Sequence, residues 1–127
     1  MARVALDADV VIAFLDGADA QHAVAVDALG PHLAGGDELL ISATVYAEVI
    51  IRPLQRGTAG KVDEFLAAVG AHVVEVDRVL ARTAAELRAR HRRLRLPDAV
   101  ALATALARDA QFLTLDRDLQ QIALQER

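Results

Sequence analysis

Residues 3–15 have the sequence RVALDADVVIAFL, and this stretch decides the fold. Residues 3–6 form a short, mostly apolar run that ends at Asp7, which is typical of a buried strand. Residues 9–15 then indicate a short helix, which Asp16 helps to close. Because a strand leads directly into a helix here, the stretch favours an α/β protein.

The same alternation of strand and helix continues along the rest of the chain. Continuous apolar runs in the strands indicate a parallel sheet that helices cover on both faces. Ser42 or Thr44 is the predicted cap of the third helix, which Pro53 helps to end. Asp77 is the predicted cap of the fifth helix, and Pro97 opens the sixth. Further strands are predicted at residues 38–41, 71–76 and 111–114, with a weakly signalled fifth at 122–124, and further helices at residues 19–33, 42–53, 57–70, 77–94 and 97–109.

The length and composition describe one folded domain. The chain has 127 residues, enough for a single hydrophobic core, so we expect one domain over residues 1–127. Hydrophobic residues make up 54% of the chain and aromatic residues only 3%. Such a composition argues against disorder and indicates a core of helices packed on a β-branched sheet.

The chain contains no cysteine. That excludes disulfides, thiolate zinc sites and cysteine nucleophiles, and it fits a reducing compartment. No apolar run approaches the ~18–20 residues that span a bilayer, and we recognise no signal peptide before the first strand. We therefore expect a cytoplasmic protein that does not engage a membrane.

Four carboxylates lie where an open α/β sheet binds ligands, beyond the carboxyl ends of its strands. Asp7 follows strand one, and Asp116 comes two residues after strand four. Glu48 lies in the second turn of the helix after strand two, and Asp98 lies in the first turn of the sixth helix. All four side chains are therefore placed to converge at one edge of the sheet.

Convergence of these acids would have a chemical consequence. Two carboxylates 4 Å apart repel each other by about 4 kcal/mol at an effective dielectric constant of about 20. Four would stay ionised together only beside a cation, and an all-oxygen ligand set suits a hard ion such as Mg²⁺ or Mn²⁺. Such an ion activates water and neutralises charge on a phosphodiester, so this chemistry requires no cysteine, histidine or serine nucleophile.

Each carboxylate also has a purely structural explanation. Asp7 or Asp9 would cap the helix that follows, and Asp116 would be an ordinary turn residue. Glu48 would pair with Arg52 on a solvent-facing stripe of its helix. These explanations stay open for each residue taken alone, and the joint placement of the acids favours a site.

Asp98 would, on the structural explanation, only favour the dipole of its helix. However, residues 99–107 contain a single polar residue, Thr104, so that helix must be largely buried. We therefore expect the aspartate at its mouth to face something specific.

Four short motifs, in this order, resemble the motifs of PIN domains. Each motif is short, but the ordered set spans nearly the whole chain. The resemblance implies a PIN-like three-layer α/β fold with a central, mostly parallel sheet of four or five strands flanked by helices. The motifs are VALDADVVI at residues 4–12, SATVYAEV at 42–49, LPDAVALATA at 96–105 and FLTLDRDL at 112–119.

The chain looks most like the bacterial VapC type of PIN domain, the toxin half of toxin–antitoxin pairs. That resemblance implies a Mg²⁺-dependent endoribonuclease that cuts tRNA or rRNA. It also implies a protein that is often a homodimer and that a cognate VapB antitoxin holds inactive.

The resemblance further assigns roles to the acids. Asp7 and Asp98 would be the main metal ligands, and Glu48 would bind the metal directly or through water. Asp116 would complete the acidic pocket, with Thr114 supporting it.

Asp9 departs from the family pattern, in which a serine, threonine or asparagine is more frequent at that position. An extra carboxylate there would strengthen metal binding or cap the helix. The number of acids that form the site therefore stays open, and Asp118 is a further candidate.

An arginine-dense stretch lies between positions 82 and 95 of a chain whose net charge is −4. One explanation is a surface that contacts RNA phosphates and delivers RNA to an acidic pocket. The other is a solvated helix face with a ladder of ion pairs centred on Glu86. Arg92, Arg93 and Arg95 are the best candidates for RNA because they come just before the third motif.

Three other functions stay open. The chain would be a PIN nuclease that processes or repairs RNA outside toxin systems, or a non-catalytic PIN-like binding module. Retention of all four acids argues against the binding module. A phosphoacceptor receiver domain also has clustered acids on a parallel sheet, but it requires a lysine near the end of a late strand. The only lysine, Lys61, lies in the fourth predicted helix.

Overall fold

A computed structural model describes residues 2–126, which form a four-stranded sheet flanked by helices. The strands are β1 (Arg3–Leu6), β2 (Glu38–Ser42), β3 (His72–Val74) and β4 (Gln111–Leu113). The helices are α1 (Ala8–Leu15), α2 (His22–Ala34), α3 (Ala43–Arg56), α4 (Ala59–Ala68), α5 (Arg78–Arg90), α6 (Leu96–Ala107) and α7 (Arg117–Gln125). The strand order is β3-β2-β1-β4, and every neighbouring pair is parallel. The α/β class and the parallel sheet predicted from the sequence are confirmed.

The sheet is buried on both faces because successive residues of a strand point to opposite sides. Val4 and Leu6 of β1 pack in the cluster that α1 to α4 cover. Ala5, between them, packs with Leu40 on the other face, against Ala105 of α6. Helices α5 and α7 pack in turn on the outer side of α6. The result is the three-layer arrangement that the resemblance implied.

Helix α6 is the buried centre of the second layer. Its residues 99–105 are all buried, as their composition predicted. Thr104 is 1% exposed, and its hydroxyl donates to the Val100 carbonyl oxygen at 2.8 Å. The one polar side chain in this stretch is therefore satisfied inside its own helix, and Asp98 lies in the first turn where the helix emerges.

Side-chain caps fix where the helices begin at the carboxyl edge of the sheet. Asp7 caps α1, and Ser42 caps α3 by accepting from the Val45 amide at 3.0 Å. Asp116 caps α7 by accepting from the Leu119 amide at 3.1 Å. The predicted cap at Ser42 is confirmed, and so is the cap that Asp77 forms on α5.

One predicted strand and three predicted helix boundaries were wrong. The fifth strand at residues 122–124 does not form, because those residues belong to α7, where Ile122 follows Leu119 at helical spacing onto α6. Helix α2 begins at His22 and not at Asp19, whose carboxylate accepts from the Gln21 amide in a turn instead. The side-chain hydrogen bond of Asp19 stabilises a turn before the helix, which explains why α2 starts later than predicted.

Helix α3 continues past Pro53 to Arg56 and ends at Gly57, which has a φ of 72°. The left-handed glycine, and not the proline, therefore terminates this helix. Helix α5 ends at Arg90, four residues before the predicted end, because His91 adopts an extended backbone. Among residues 2–126, no helix has the length and apolarity needed to cross a membrane.

Candidate active site

Asp7 leaves β1 and enters α1 at the carboxyl edge of the sheet. Its backbone amide donates to the Leu113 carbonyl at 2.9 Å and so ties the ends of β1 and β4 together. Its Oδ1 accepts from the Ala8 amide at 2.9 Å, and its Oδ2 accepts from the Thr114 hydroxyl at 2.8 Å. The carboxylate is thus held rigidly, and only 5% of the residue is exposed.

The environment of Asp7 opposes its negative charge. Burial, first, and the neighbouring carboxylate of Asp9, second, raise the pKa of Asp7 from 3.8 to about 7. The hydrogen bonds from Thr114 and Ala8 act in the other direction, and the charge of Asp98 adds a further rise. The protein therefore keeps a carboxylate where it is costly to ionise without a nearby cation.

Asp9 lies beside Asp7, in the first turn of α1. Its Oδ2 accepts from the Leu115 amide at 3.1 Å and lies 3.3 Å from the Thr114 hydroxyl oxygen. Within residues 2–126, its Oδ1 is buried and has no hydrogen-bond partner. Burial raises the pKa of Asp9 above its usual value, and the charge of Asp116 adds to that rise. Sequence reasoning left Asp9 outside the predicted set of four, although its position two residues after Asp7 was the available signal.

Glu48 reaches the same region from the second turn of α3. Burial raises the pKa of Glu48, and the charges of Asp98 and Asp9 raise it further. Arg95 lowers it, so this guanidinium is also a neighbour. The solvent-facing ion pair with Arg52 does not form within the described part of the chain. Glu48 is therefore oriented towards the other acids.

Asp98 forms an ion pair across the first turn of α6. Arg95 Nε donates to Asp98 Oδ2 at 3.1 Å, and Arg95 Nη2 lies 3.5 Å from Asp98 Oδ1. The Asp98 side chain is 15% exposed and that of Arg95 is 75% exposed, so the guanidinium covers the carboxylate from the solvent side. The hydrogen bond and charge of Asp98, followed by the charges of Glu48 and Asp7, raise the pKa of Arg95.

Asp116 lies at the exposed rim of the site, where its Oδ1 caps α7. It lines a shallow groove together with Asp98, Asp118, Arg93 and Arg95. Asp118, in the first turn of α7, therefore faces the same groove as two of the predicted site acids. Thr114 lies beneath this rim and bonds to Asp7, and its oxygen accepts from the Asp116 amide at 3.2 Å.

All four predicted acids and Asp9 are electrostatic neighbours in one region. The charges of Asp9 and Asp98 raise the pKa of Asp7, and the same two charges raise the pKa of Glu48. The charge of Asp116 raises the pKa of Asp9. Even so, no three of the Asp, Glu and His side chains of residues 2–126 lie close enough together to hold one metal ion. Asp98 is paired with Arg95, and Asp116 caps a helix. The carboxylates are therefore neighbours, but they are not arranged as the ligands of one metal ion.

The donor chemistry of this region nevertheless fits a hard divalent cation. Every side chain gathered there that could bind a metal offers carboxylate oxygens, which Mg²⁺ and Mn²⁺ prefer over nitrogen or sulfur. The buried Asp9 Oδ1 that lacks a partner in the described chain adds an unused acceptor at the same place.

The arginine-dense stretch divides into two parts. Arg90, at the end of α5, binds Glu126 through two hydrogen bonds of 3.2 and 2.7 Å. The predicted ladder of ion pairs centred on Glu86 does not form within residues 2–126. Arg92 and Arg93 are exposed in the loop between α5 and α6, and Arg93 lines the acidic groove.

Comparisons with known proteins agree with this architecture. The family model of the PIN domain matches residues 4–124. A sequence search of curated proteins finds no significant match. Among solved structures, the fold is similar to VapC20 of Mycobacterium tuberculosis, a Sarcin-Ricin loop cleaving toxin, with a TM-score of 0.74 and 20% identity over 94% of each chain.

Two further solved structures have the same fold. A toxin–antitoxin complex from Klebsiella pneumoniae matches with a TM-score of 0.74 and 22% identity over 91% of this chain and 87% of that one. VapBC2 from Rickettsia felis, bound to a DNA fragment from its promoter, matches with a TM-score of 0.70 and 17% identity over 96% and 93%. At these identities the likeness concerns the fold.

Proposed function

The chain belongs to the PIN domain family, and from this premise we propose that it is a metal-dependent endoribonuclease of the VapC toxin type. The observation that carries the proposal is the gathering of carboxylates from four separate parts of the chain at one sheet edge. Neighbouring acids whose pKa values are raised by burial and by each other are typical of functional sites, where a cation or a reaction uses them. The similar fold of a Sarcin-Ricin loop cleaving toxin supports RNA as the substrate.

Asp7, Glu48, Asp98 and Asp116 are the proposed metal ligands and catalytic acids, and Asp9 is a fifth candidate ligand. The proposed cofactor is Mg²⁺, with Mn²⁺ as the alternative, because the available donors are carboxylate oxygens. When bound, such an ion supplies charge neutralisation for a phosphodiester and lowers the pKa of a water molecule.

The chain's own residues position and support this chemistry. Thr114 and the Ala8 amide keep the Asp7 carboxylate in one orientation, so it needs no reorganisation during the reaction. Glu48 is half-buried, and we propose that it also accepts a proton from the attacking water. Water would attack phosphorus in line, the bond to the 3′ oxygen would break, and the products would carry a 5′-phosphate and a 3′-hydroxyl.

Arg92, Arg93 and Arg95 are the proposed RNA-binding residues. They are exposed in the loop that precedes Asp98, and Arg93 and Arg95 line the acidic groove itself. Their charges would offset the repulsion between RNA phosphates and the acids, a problem that any acidic nuclease site must solve. We take tRNA or rRNA as the substrate class.

A cognate VapB-type antitoxin is the proposed partner, and the groove between α1 and α3 supports this. Ile12, Leu15 and Ile51 give the groove apolar walls, and Glu48 of the acidic site also lines it. A peptide seated there would therefore touch the site as well as the groove. The homodimer that the resemblance implies and the cytoplasmic location expected from the sequence stay predictions.

The test is cleavage of purified total RNA by the purified protein with Mg²⁺, with EDTA, and with the Asp7→Asn variant. We expect cleavage to fall by about a hundredfold or more in the variant, since a metal ligand loses its charge. Asp27→Asn is the matched control, because Asp27 is exposed on α2, away from the sheet edge. Undiminished cleavage in EDTA or in Asp7→Asn, or a 2′,3′-cyclic phosphate product, would overturn the proposal.

A further inference from the structure

Arg95 holds a position that the proposed nuclease activity alone does not explain. Its guanidinium sits on Asp98, one of the acids proposed to bind metal, and it spans both carboxylate oxygens at 3.1 and 3.5 Å. Within residues 2–126, these are the only hydrogen bonds that the Asp98 carboxylate accepts. Arg95 is therefore the counter-ion of Asp98.

The same guanidinium faces more than one acid. It lines one groove with Asp98 and Asp116. Its charge also lowers the pKa of Glu48, and the charge of Asp7 raises the pKa of Arg95. An arginine that pairs with both oxygens of a carboxylate leaves little room for a second cation on those oxygens. A divalent ion that binds the Asp98 carboxylate would also repel the guanidinium at close range.

Arg95 is free to leave this position. Its backbone is fixed at the start of α6, but its side chain is 75% exposed and makes no other bond to a side chain in the described chain. An exposed ion pair of this kind is weak, so a divalent ion can displace it at small cost. The displaced side chain would still reach the groove that it lines with Arg93, Asp116 and Asp118.

We propose that Arg95 is a built-in counter-ion of the acidic site, which a divalent cation displaces from Asp98 and thereby frees to bind an RNA phosphate. The proposal rests on the metal-dependent nuclease function proposed above. On this proposal the Arg95 guanidinium neutralises Asp98 until a metal ion binds there. The same guanidinium then binds an RNA phosphate. Arg95 would in this way couple cation binding to substrate binding.

The experiment is calorimetric titration of Mn²⁺ into the metal-free parent protein, Arg95→Gln, Arg95→Lys and Arg93→Gln. Arg93→Gln is the matched control: it removes one positive charge from the same groove, and Arg93 makes no ion pair within residues 2–126. We expect Arg95→Gln to bind Mn²⁺ about two- to fivefold more tightly than Arg93→Gln does, as removal of a weak competitor predicts. The Mn²⁺ affinity of Arg95→Lys should fall between those of the parent and Arg95→Gln, because lysine keeps the charge but cannot bind both carboxylate oxygens as a guanidinium does.

The outcomes separate this proposal from the nuclease proposal. Equal or weaker Mn²⁺ binding by Arg95→Gln would overturn the counter-ion role, because a residue that merely orients Asp98 for the metal must weaken binding when it is lost. A parent protein that binds no Mn²⁺ would overturn metal dependence itself. The parent also provides an independent test by NMR: titration with Mg²⁺ should shift the Arg95 Nε–H resonance, and an unmoved resonance on a metal-loaded protein would refute displacement.

Discussion

Asp7 and Glu126 are both carboxylates with little solvent exposure, but the protein treats their charges in opposite ways. Glu126 lies where the end of α7 meets the end of α5, between Arg90 and the His91 Nε2, which is 2.7 Å from its Oε2. The hydrogen bonds from these two residues hold the pKa of Glu126 below its usual range. At Asp7, burial and neighbouring acids raise the pKa instead, and the counter-charge in that region lies on Asp98.

The difference separates a structural charge from a functional one. Glu126 forms an ion pair with Arg90 and bonds to His91, which connects the end of α7 to the end of α5, so its charge supports the fold. Asp7 is held by hydrogen bonds but its charge is not neutralised, so its ionised form destabilises the folded protein unless a cation binds. Proteins break such rules chiefly at functional sites, and the contrast therefore supports the proposal that the sheet edge is the active site.

The largest expected effect that tests this contrast is on stability without metal. We expect Asp7→Asn to be more stable than the parent protein at pH 8 in EDTA, by at most about 4 kcal/mol for a pKa displaced from 3.8 to about 7. The folded-state pKa of Asp7 is raised, so the penalty is absent below pH 3.8, grows as the pH rises, and is complete above about pH 7. Asparagine stays neutral throughout. Urea unfolding at pH 4 and pH 8 measures the difference.

Two controls sharpen this comparison. Asp27→Asn should match the parent at both pH values, because Asp27 is exposed on α2. Mg²⁺ should stabilise the parent but not Asp7→Asn, which narrows the gap at pH 8. If Asp7→Asn were less stable than the parent at pH 8, the Asp7 charge would belong with that of Glu126, as a charge that supports the fold.

A smaller effect is expected at Thr114, whose hydroxyl is the strongest support of the Asp7 charge. Thr114→Val keeps the shape but leaves Asp7 Oδ2 without its donor, and we expect a loss of about 2 kcal/mol at pH 8. The loss should shrink at pH 4, where Asp7 is neutral in the folded protein. Urea unfolding of both proteins at the two pH values is the measurement.

Thr104→Val is the matched control for Thr114→Val. Both threonines are buried, but Thr104 donates to a neutral carbonyl oxygen. We expect that variant to lose about 1 kcal/mol or less, with no dependence on pH. An equal pH dependence in the two variants would mean that Thr114 does not act through the charge of Asp7.

Much of this fold could be predicted from the sequence, because hydrophobic period and capping residues are local signals. The run of small apolar residues at 99–107 predicted a buried helix, and Asp77 and Ser42 cap helices as expected. Residues 122–124 were misread because three residues cannot distinguish a strand from one face of a helix. Their helical neighbours, anchored by the Asp116 cap, decided the outcome.

The candidate site was only partly predictable, for a different reason. Position after a strand predicted that Asp7, Glu48, Asp98 and Asp116 would meet at one edge, since parallel strands end together. The sequence could not reveal the pairing of Arg95 with Asp98 or the bonds between Asp9 and the residues after β4. Such contacts depend on the angles at which α1, α6 and the β4–α7 turn approach each other, which local pattern does not encode.

The smallest expected effect lies at Glu126, whose pairing with Arg90 and His91 the sequence did not predict. We expect Glu126→Gln to lose about 1 kcal/mol at pH 7, because Arg90 then has no carboxylate to pair with and His91 loses its bond to the same carboxylate. The folded-state pKa of Glu126 is lowered, so its stabilisation is present above the unfolded value of 4.5 and is lost as the pH falls through the folded value.

The two carboxylates should therefore respond to pH with opposite signs. Raising the pH from 3 to 7 should favour the parent over Glu126→Gln, whereas the same change should favour Asp7→Asn over the parent. Glu86→Gln is the control on α5, since Glu86 is exposed and makes no ion pair within the described residues. RNA cleavage by Glu126→Gln should equal that of the parent. A loss of cleavage with unchanged stability would place Glu126 on the functional side of the comparison, because a purely structural charge can affect the reaction only through the fold.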